Sequence, residues 1–212
     1  RDDTINASKH WGDSYSSEQL TFTNYNFVER TGDPASGTIA KDHVVVIYHY
    51  SLKSADLVVK YVDANGDNID SSKKRNESVH WGDSYTSEQY AFENYDFVNR
   101  TGDAASGTIS KDNYEIIYHY KLKKGTVITH HYLYDNGETT TKLAADTTKE
   151  WNYTETYTTS TSSEVPANYE LYKKSDKFTA IMSSPSVEVN YYYRLKDSNL
   201  TTTITKTGDE DL

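Results

Sequence analysis

From Tyr114 to Tyr120 the chain alternates: Tyr114, Ile116, Tyr118 and Tyr120 share one face, and Glu115, Ile117 and His119 share the other. A period of two predicts a strand with one buried face. Leu57, Val59 and Tyr61 repeat that pattern upstream and run into Asn65-Gly66, a strong signal for a two-residue hairpin turn. A second hairpin signal is the glycine pair in RTGDPASGTI and RTGDAASGTI, where Gly32 and Gly102 end one strand and Gly37 and Gly107 precede the next. Helical periodicity is confined to Ser16-Ser-Glu-Gln19 and Thr86-Ser-Glu-Gln89, which resemble a capping box and support one or two turns. Twenty tyrosines and many threonines, against one Met and three Pro, add to the bias toward strands. The expectation is a mainly β protein of mostly antiparallel strands, with at most a short helix per module.

The pattern recurs along the chain. His10 to Leu52 returns at His80 to Leu122 with an offset of 70 and 30 of 43 positions identical. A third, diverged copy shows in Asn136-Gly137, Asn168-Tyr169 and Tyr191-Tyr192-Tyr193-Arg194-Leu195-Lys196. Three units therefore account for the chain, as an elongated array in which each unit contacts mainly its neighbours. The frame is 1-55, a first repeat lacking its opening strand; 56-124, a complete repeat; 125-198, the diverged repeat; and 199-212, a spare opening strand or tail. A permuted frame of 1-70, 71-141 and 142-212 also fits. Excision from a longer array is the first explanation of the missing and spare strands, and head-to-tail strand exchange between molecules is another. Linkers such as Ser51 to Ala55 and Lys121 to Gly125 are short, which implies limited bending.

Composition narrows the function. Net charge is -10, with 22 basic residues scattered among 32 acidic ones, so no basic stripe exists to neutralise a phosphate backbone. Nucleic acid is excluded as the expected partner. No apolar run reaches the ~18 residues a bilayer-spanning helix needs, so no membrane insertion is expected of this stretch. Zero cysteines exclude disulfides and thiol chemistry.

Seven histidines stand without a serine elbow, an H-E-x-x-H or a phosphate loop, so no enzyme and no cofactor is expected. Asp63, Asn65 and Asp67 have calcium-loop spacing, but Lys74 stands where the twelfth ligand belongs, so a plain turn is the better account. His130 and His131 are adjacent, point to opposite faces of a strand and form no metal pair. Lys60 and Lys121 lie on or beside terminal strands, where an amide crosslink to Asn or Asp would resist pulling; a solvated strand residue is the simpler reading of Lys60.

The twice-written His-Trp-Gly-Asp-Ser-Tyr stretch is the recognition candidate. His10, Trp11, Asp13 and Tyr15, with His80, Trp81, Asp83 and Tyr85, offer aromatic faces for stacking and polar groups for directional hydrogen bonds. Against this stands the ordinary fate of a large aromatic in a small domain, which is to plug the core; that reading is preferred for the tryptophans.

The unit opens VVKYVDANGDNI, continues WGDSYTSEQ and NYDFVNRTGDAASGTI, and closes YEIIYHYKL. It resembles the MucBP (mucin-binding protein) repeat of Gram-positive surface adhesins, most closely over 57–122, then 9–52, and more loosely over 127–196. The resemblance implies a β-grasp-like module strung in tandem at the cell surface, wall-anchored through parts outside this stretch, contacting mucin-like host glycoproteins or glycans without catalysis. It implies no defined set of binding residues. A stalk that projects a separate binding domain is the alternative.

Overall fold

A computed structural model describes residues 8–197; the expected spare strand at 199-212 lies outside them. The elements of the first copy are β1 (Ser14–Ser16), β2 (Tyr25–Gly32), β3 (Ser36–Thr38) and β4 (Val46–Leu52). Those of the second are β5 (Ser54–Val62), β6 (Arg75–His80), β7 (Ser84–Thr86), β8 (Tyr95–Gly102), β9 (Ser106–Thr108) and β10 (Asn113–Leu122). The third holds β11 (Lys124–Tyr134), β12 (Glu138–Asn152), β13 (Thr156–Thr158), β14 (Tyr169–Lys174), β15 (Thr179–Ile181) and β16 (Ser186–Leu195). By compactness the chain divides into two units, Arg1–Ala91 with Phe97–Lys121, and Phe92–Asp96 with Leu122–Leu212.

In the first unit, β6-β5-β10-β8 form a four-stranded sheet, with β2-β4, β1-β3 and β7-β9 as two-stranded pairs. Most strand pairs are antiparallel, as expected, but β5 and β10 at the centre of the sheet run parallel, Leu57 opposite Tyr114 and Tyr61 opposite Tyr118. A parallel pair needs a long crossover, and residues 63–112 between β5 and β10 provide it. The alternation is as read from the sequence: Leu57, Val59, Tyr61, Tyr114, Ile116, Tyr118 and Tyr120 are buried.

Tyrosines are abundant because they serve two purposes at once. Their rings fill the core, and their hydroxyls donate to backbone carbonyls of an irregular segment that forms no ladder of its own. Tyr61 donates to Glu88 O at 2.7 Å and Tyr120 to Tyr90 O at 2.7 Å. Tyr50 donates likewise to Leu20 O at 2.6 Å. The segment after Thr86 is irregular, not helical, and so is its copy after Ser16. Thr86, the would-be cap, closes β7 instead, and Ser87 Oγ beside it donates to Ala105 O and bonds the Tyr118 hydroxyl at 2.9 Å. Among the described residues the helical structure is one 3-10 turn, Asp176–Phe178.

Two turn expectations change in detail. Asp63 accepts from Gly66 N at 3.1 Å, and Gly66 takes φ +87°, giving a three-residue loop with a left-handed glycine in place of a two-residue turn. Asp63 Oδ1 accepts from Asn65 N and Asp67 N, so this carboxylate organises the turn itself. The RTGD-to-ASGT segment is not a hairpin: β2 pairs with β4, and β3 with β1. Gly102 closes β8 with φ +80°, and a Cβ there would stand 2.1 Å from Glu115 O, so only glycine fits.

The second unit holds the sheet β12-β11-β16-β14, with β11 and β16 parallel (Val127 opposite Val187, His131 opposite Tyr191), and the pair β13-β15. Its core gathers Val127, Tyr153, Tyr157, Met182, Val189, Tyr191 and Tyr193. His130 and His131 do part to opposite faces. His131 is buried with Nδ1 2.9 Å from Tyr193 Oη, and His130 Nδ1 lies 3.0 Å from Asp146 Oδ1.

Candidate functional site at the tryptophan turns

His10-Trp11-Gly12-Asp13 is a tight turn that its own residues close. Asp13 Oδ2 accepts from His10 N at 2.8 Å, Asp13 N donates to His10 O at 3.0 Å, and Gly12 takes φ +89°. The second copy repeats this with Asp83 Oδ2 accepting from His80 N at 2.9 Å and Gly82 at φ +94°. The turn is tied to the β-pair beyond it by Gly82 N to Ile109 O and Ile109 N to Asp83 O, both 2.8 Å. One oxygen of each aspartate is thus held by the fold. His10 Nδ1 and His80 Nδ1 stand 3.6 and 3.7 Å from the same oxygens, at the surface.

A turn of this shape pushes the residue before the glycine outward. Trp11 is 69% exposed, so it does not plug the core as preferred from sequence. Trp81 is half-buried and sits under Lys53 Nζ, 4.3 Å from its ring centroid. It borders a cleft of about 390 Å³ lined also by Leu20, Phe22, Tyr25, Phe27 and Tyr50. Its backbone anchors the turn to the preceding strand, with Trp81 N donating to Lys53 O and Lys53 N to Asn24 O, each at 2.9 Å.

The tyrosines of the motif turn toward the interior, Tyr85 fully and Tyr15 in part. Tyr85 is buried against the Tyr114 ring, with centroids 5.0 Å apart, and burial pushes its hydroxyl pKa up. It also lies across Gly107, where a Cβ would stand 3.2 Å from the ring, which explains a glycine inside β9. Tyr15 covers Gly37 in the same manner and is half-buried. Of the eight candidates, His10, Trp11, Asp13, His80 and Asp83 are exposed and Trp81 is half-buried.

In the third copy the turn is Asn152-Tyr153-Thr154-Glu155: Glu155 Oε2 accepts from Asn152 N at 3.1 Å, and Thr154 takes φ +73° without being glycine. Here Tyr153 is buried, and the exposed aromatic of the turn is gone. A different cleft appears, of about 300 Å³, lined by Thr129, His131, Thr147, Lys149, Trp151 and the hydroxyl run Thr158 to Ser163. Lys149 Nζ lies 4.1 Å over the Trp151 ring. The opening strand explains this cleft, because Thr129 and His131 stand 70 residues beyond Val59 and Tyr61 and leave unfilled the space that a tyrosine takes in the second copy. Sequence reading missed it; the signal was those two substitutions together with the Ser/Thr run.

The profile of the MucBP domain matches residues 2–51, 56–121 and 127–194, nearly the whole length. The chain belongs to the MucBP family. Internalin I of Listeria monocytogenes is 30% identical over 115 residues, 52% of this chain, which spans only 6% of that protein. Among solved structures, domains 3-4 of Streptococcal High Identity Repeats in Tandem from a cell surface protein align over 67% of this chain and 98% of theirs, at 11% identity and a TM-score of 0.32. The type 2 repeat of the mucus binding protein MUB from Lactobacillus reuteri aligns over 65% of this chain and 98% of that one, at 18% identity and a TM-score of 0.21. The MucBP copies thus share one turn scaffold and present three different surfaces on it.

Proposed function

We propose that these MucBP copies are the repeat region of a bacterial cell-surface adhesin that binds mucin-like host glycoproteins or glycans through repeated weak sites. The region is extracellular, non-enzymatic and held to the wall by parts outside this stretch. The observation that carries the reading is the presentation of a tryptophan at the surface of the same turn in the first two copies, Trp11 at 69% exposure and Trp81 at the rim of a cleft. Indole faces stack on the apolar faces of sugar rings, and linked weak sites gain strength because later contacts are intramolecular. Trp151 beside threonine and serine hydroxyls gives the third copy a site of its own chemistry.

A spacer role is the second reading, and one observation favours it: β4 passes into β5 through the single residue Lys53, whose backbone is bonded on both sides to Asn24 and Trp81. The test is binding of the chain to immobilised mucin and a glycan array, beside Trp11→Ala/Trp81→Ala and Trp151→Ala variants whose fold is verified by circular dichroism. Saturable binding that drops in folded variants supports adhesion. A folded parent chain that binds nothing leaves the spacer.

A further inference from the structure

The second and third copies build one framework and fill it differently. Val59 faces Arg75 and Leu57 faces Glu77 across β5 and β6, as Thr129 faces Thr147 and Val127 faces Lys149 across β11 and β12. In the second copy the space above these residues is closed. The Tyr61 and Tyr90 rings meet with centroids 5.2 Å apart, and Arg75 donates to Thr86 O while holding Glu77 through two further hydrogen bonds. In the third copy His131, Thr147 and Ser162 take the places of Tyr61, Arg75 and Tyr90. The space the larger side chains fill is there the cleft of about 300 Å³.

The charge changes with the volume. The pair of Arg75 with Glu77 gives way to Thr147 and Lys149, so in a chain of net charge -10 this cleft is lined by one lysine and no carboxylate. Among the described residues Lys149 joins no ion pair, and its contact is with the Trp151 ring, 4.1 Å from Nζ. Glu155, whose carboxyl is held low first by Asn152 and further by Lys149, has both oxygens bonded to Asn152. An exposed cation–π contact is weak, whereas an ammonium hydrogen-bonded to an anionic oxygen is strongly held. An anion at the rim therefore draws Lys149 off the ring and uncovers the indole face for stacking. The hydroxyls of Thr147, Ser160, Thr161 and Ser163 form no hydrogen bond among the described residues and supply donors and acceptors around it.

We propose that the cleft of the third copy binds a sugar residue bearing a carboxylate or a sulfate, with Lys149 on the anionic group, Trp151 against the ring and the hydroxyl run at its edge. The inference rests on the adhesin reading above and makes the third copy the charge-selective member of the array. A volume at the small end of the range of ligand pockets fits one ring, the end of a glycan chain.

The test titrates the full chain with methyl β-galactoside, its sulfate ester at the primary hydroxyl and the corresponding galacturonide, following amide and indole N–H resonances by NMR. The two acidic probes separate sulfate from carboxylate as the group recognised. The expected result is a Kd about ten-fold lower for at least one acidic sugar than for the neutral one, as one charge-assisted hydrogen bond supplies, with shifts concentrated on the Trp151 indole and residues 158–163. Lys149→Met removes the preference, Lys149→Arg retains it, and His131→Tyr, which fills the cleft, abolishes binding. Equal affinity for all three sugars, no binding of any, a preference that survives Lys149→Met, or shifts at Trp11 and Trp81 in place of Trp151 overturns the inference. Mucin binding by the same chain separates the two failures. Mucin held without a preference for the acidic sugars removes this site alone, whereas a chain that binds neither mucin nor sugar removes the adhesin reading with it.

Discussion

The ring of Tyr61 lies 5.2 Å from that of Tyr118 at an interplanar angle of 9°, and its hydroxyl reaches over the sheet to Glu88 O. One side chain thereby joins the two parallel strands and the irregular segment covering them. Tyr61→Ala should destabilise the second copy by about 3 to 5 kcal/mol, the range for deleting a large buried aromatic. Lys60→Ala, next in sequence but in a partly exposed pair with Glu115, should cost under ~1 kcal/mol. Urea unfolding of both variants checks the contrast; equal costs would refute the anchoring role of Tyr61.

The glycines separate backbone strain from crowding. Gly66 and Gly102 both take positive φ, but a Cβ at Gly66 meets nothing within 4 Å, whereas one at Gly102 meets Glu115 O at 2.1 Å. Gly66→Ala should cost about 1 to 2 kcal/mol from the left-handed backbone alone. Gly102→Ala should cost visibly more, because the β8–β10 ladder must shift as well. Thermal unfolding of the two variants in parallel gives the ranking.

His131 makes the second unit sensitive to mild acid. Burial lowers its pKa below 6.5, so the unfolded chain takes up a proton at a pH where the folded chain resists it. Stability is therefore full above the unfolded value and declines as pH falls through ~6.5. The lowered carboxylates Asp146 and Glu138, paired with Lys142 and Lys173, lose their stabilisation only in the carboxylate range, below pH ~4. The Tm of the third copy should drop between pH 7.5 and 5.5, and His131→Tyr, the residue of the second copy at that place, should flatten the dependence while filling the cleft. An unchanged slope in that variant would assign the effect elsewhere.

The two turn tryptophans should differ in stability and in fluorescence. Trp11→Ala should change stability by less than ~0.5 kcal/mol, as for an exposed surface residue. Trp81→Ala removes the contact with Lys53 and part of a cleft wall and should cost about 1 to 3 kcal/mol. Iodide should quench Trp11 more than Trp81 when each is the sole tryptophan retained.

By itself the sequence determined the repeat, the strands and their buried faces, because an offset of 70 and a period of two are properties of the chain alone. Leu57, Val59, Ile116 and Tyr118 are buried as their alternation required. The tertiary structure decided what depends on partners distant in sequence. β5 pairs parallel with β10 across a crossover that local pattern does not encode. The stretch Thr86 to Gln89 caps no helix: Ser87 bonds Ala105 O and Tyr118, and the irregular segment gains tyrosine donors that a helix would not need. The His-Trp-Gly-Asp motif was legible as a unit, but which of its aromatics faces solvent was not. A left-handed glycine turned Trp11 outward, while Tyr85 settled over Gly107, a residue 22 positions later that only folding brings beneath it.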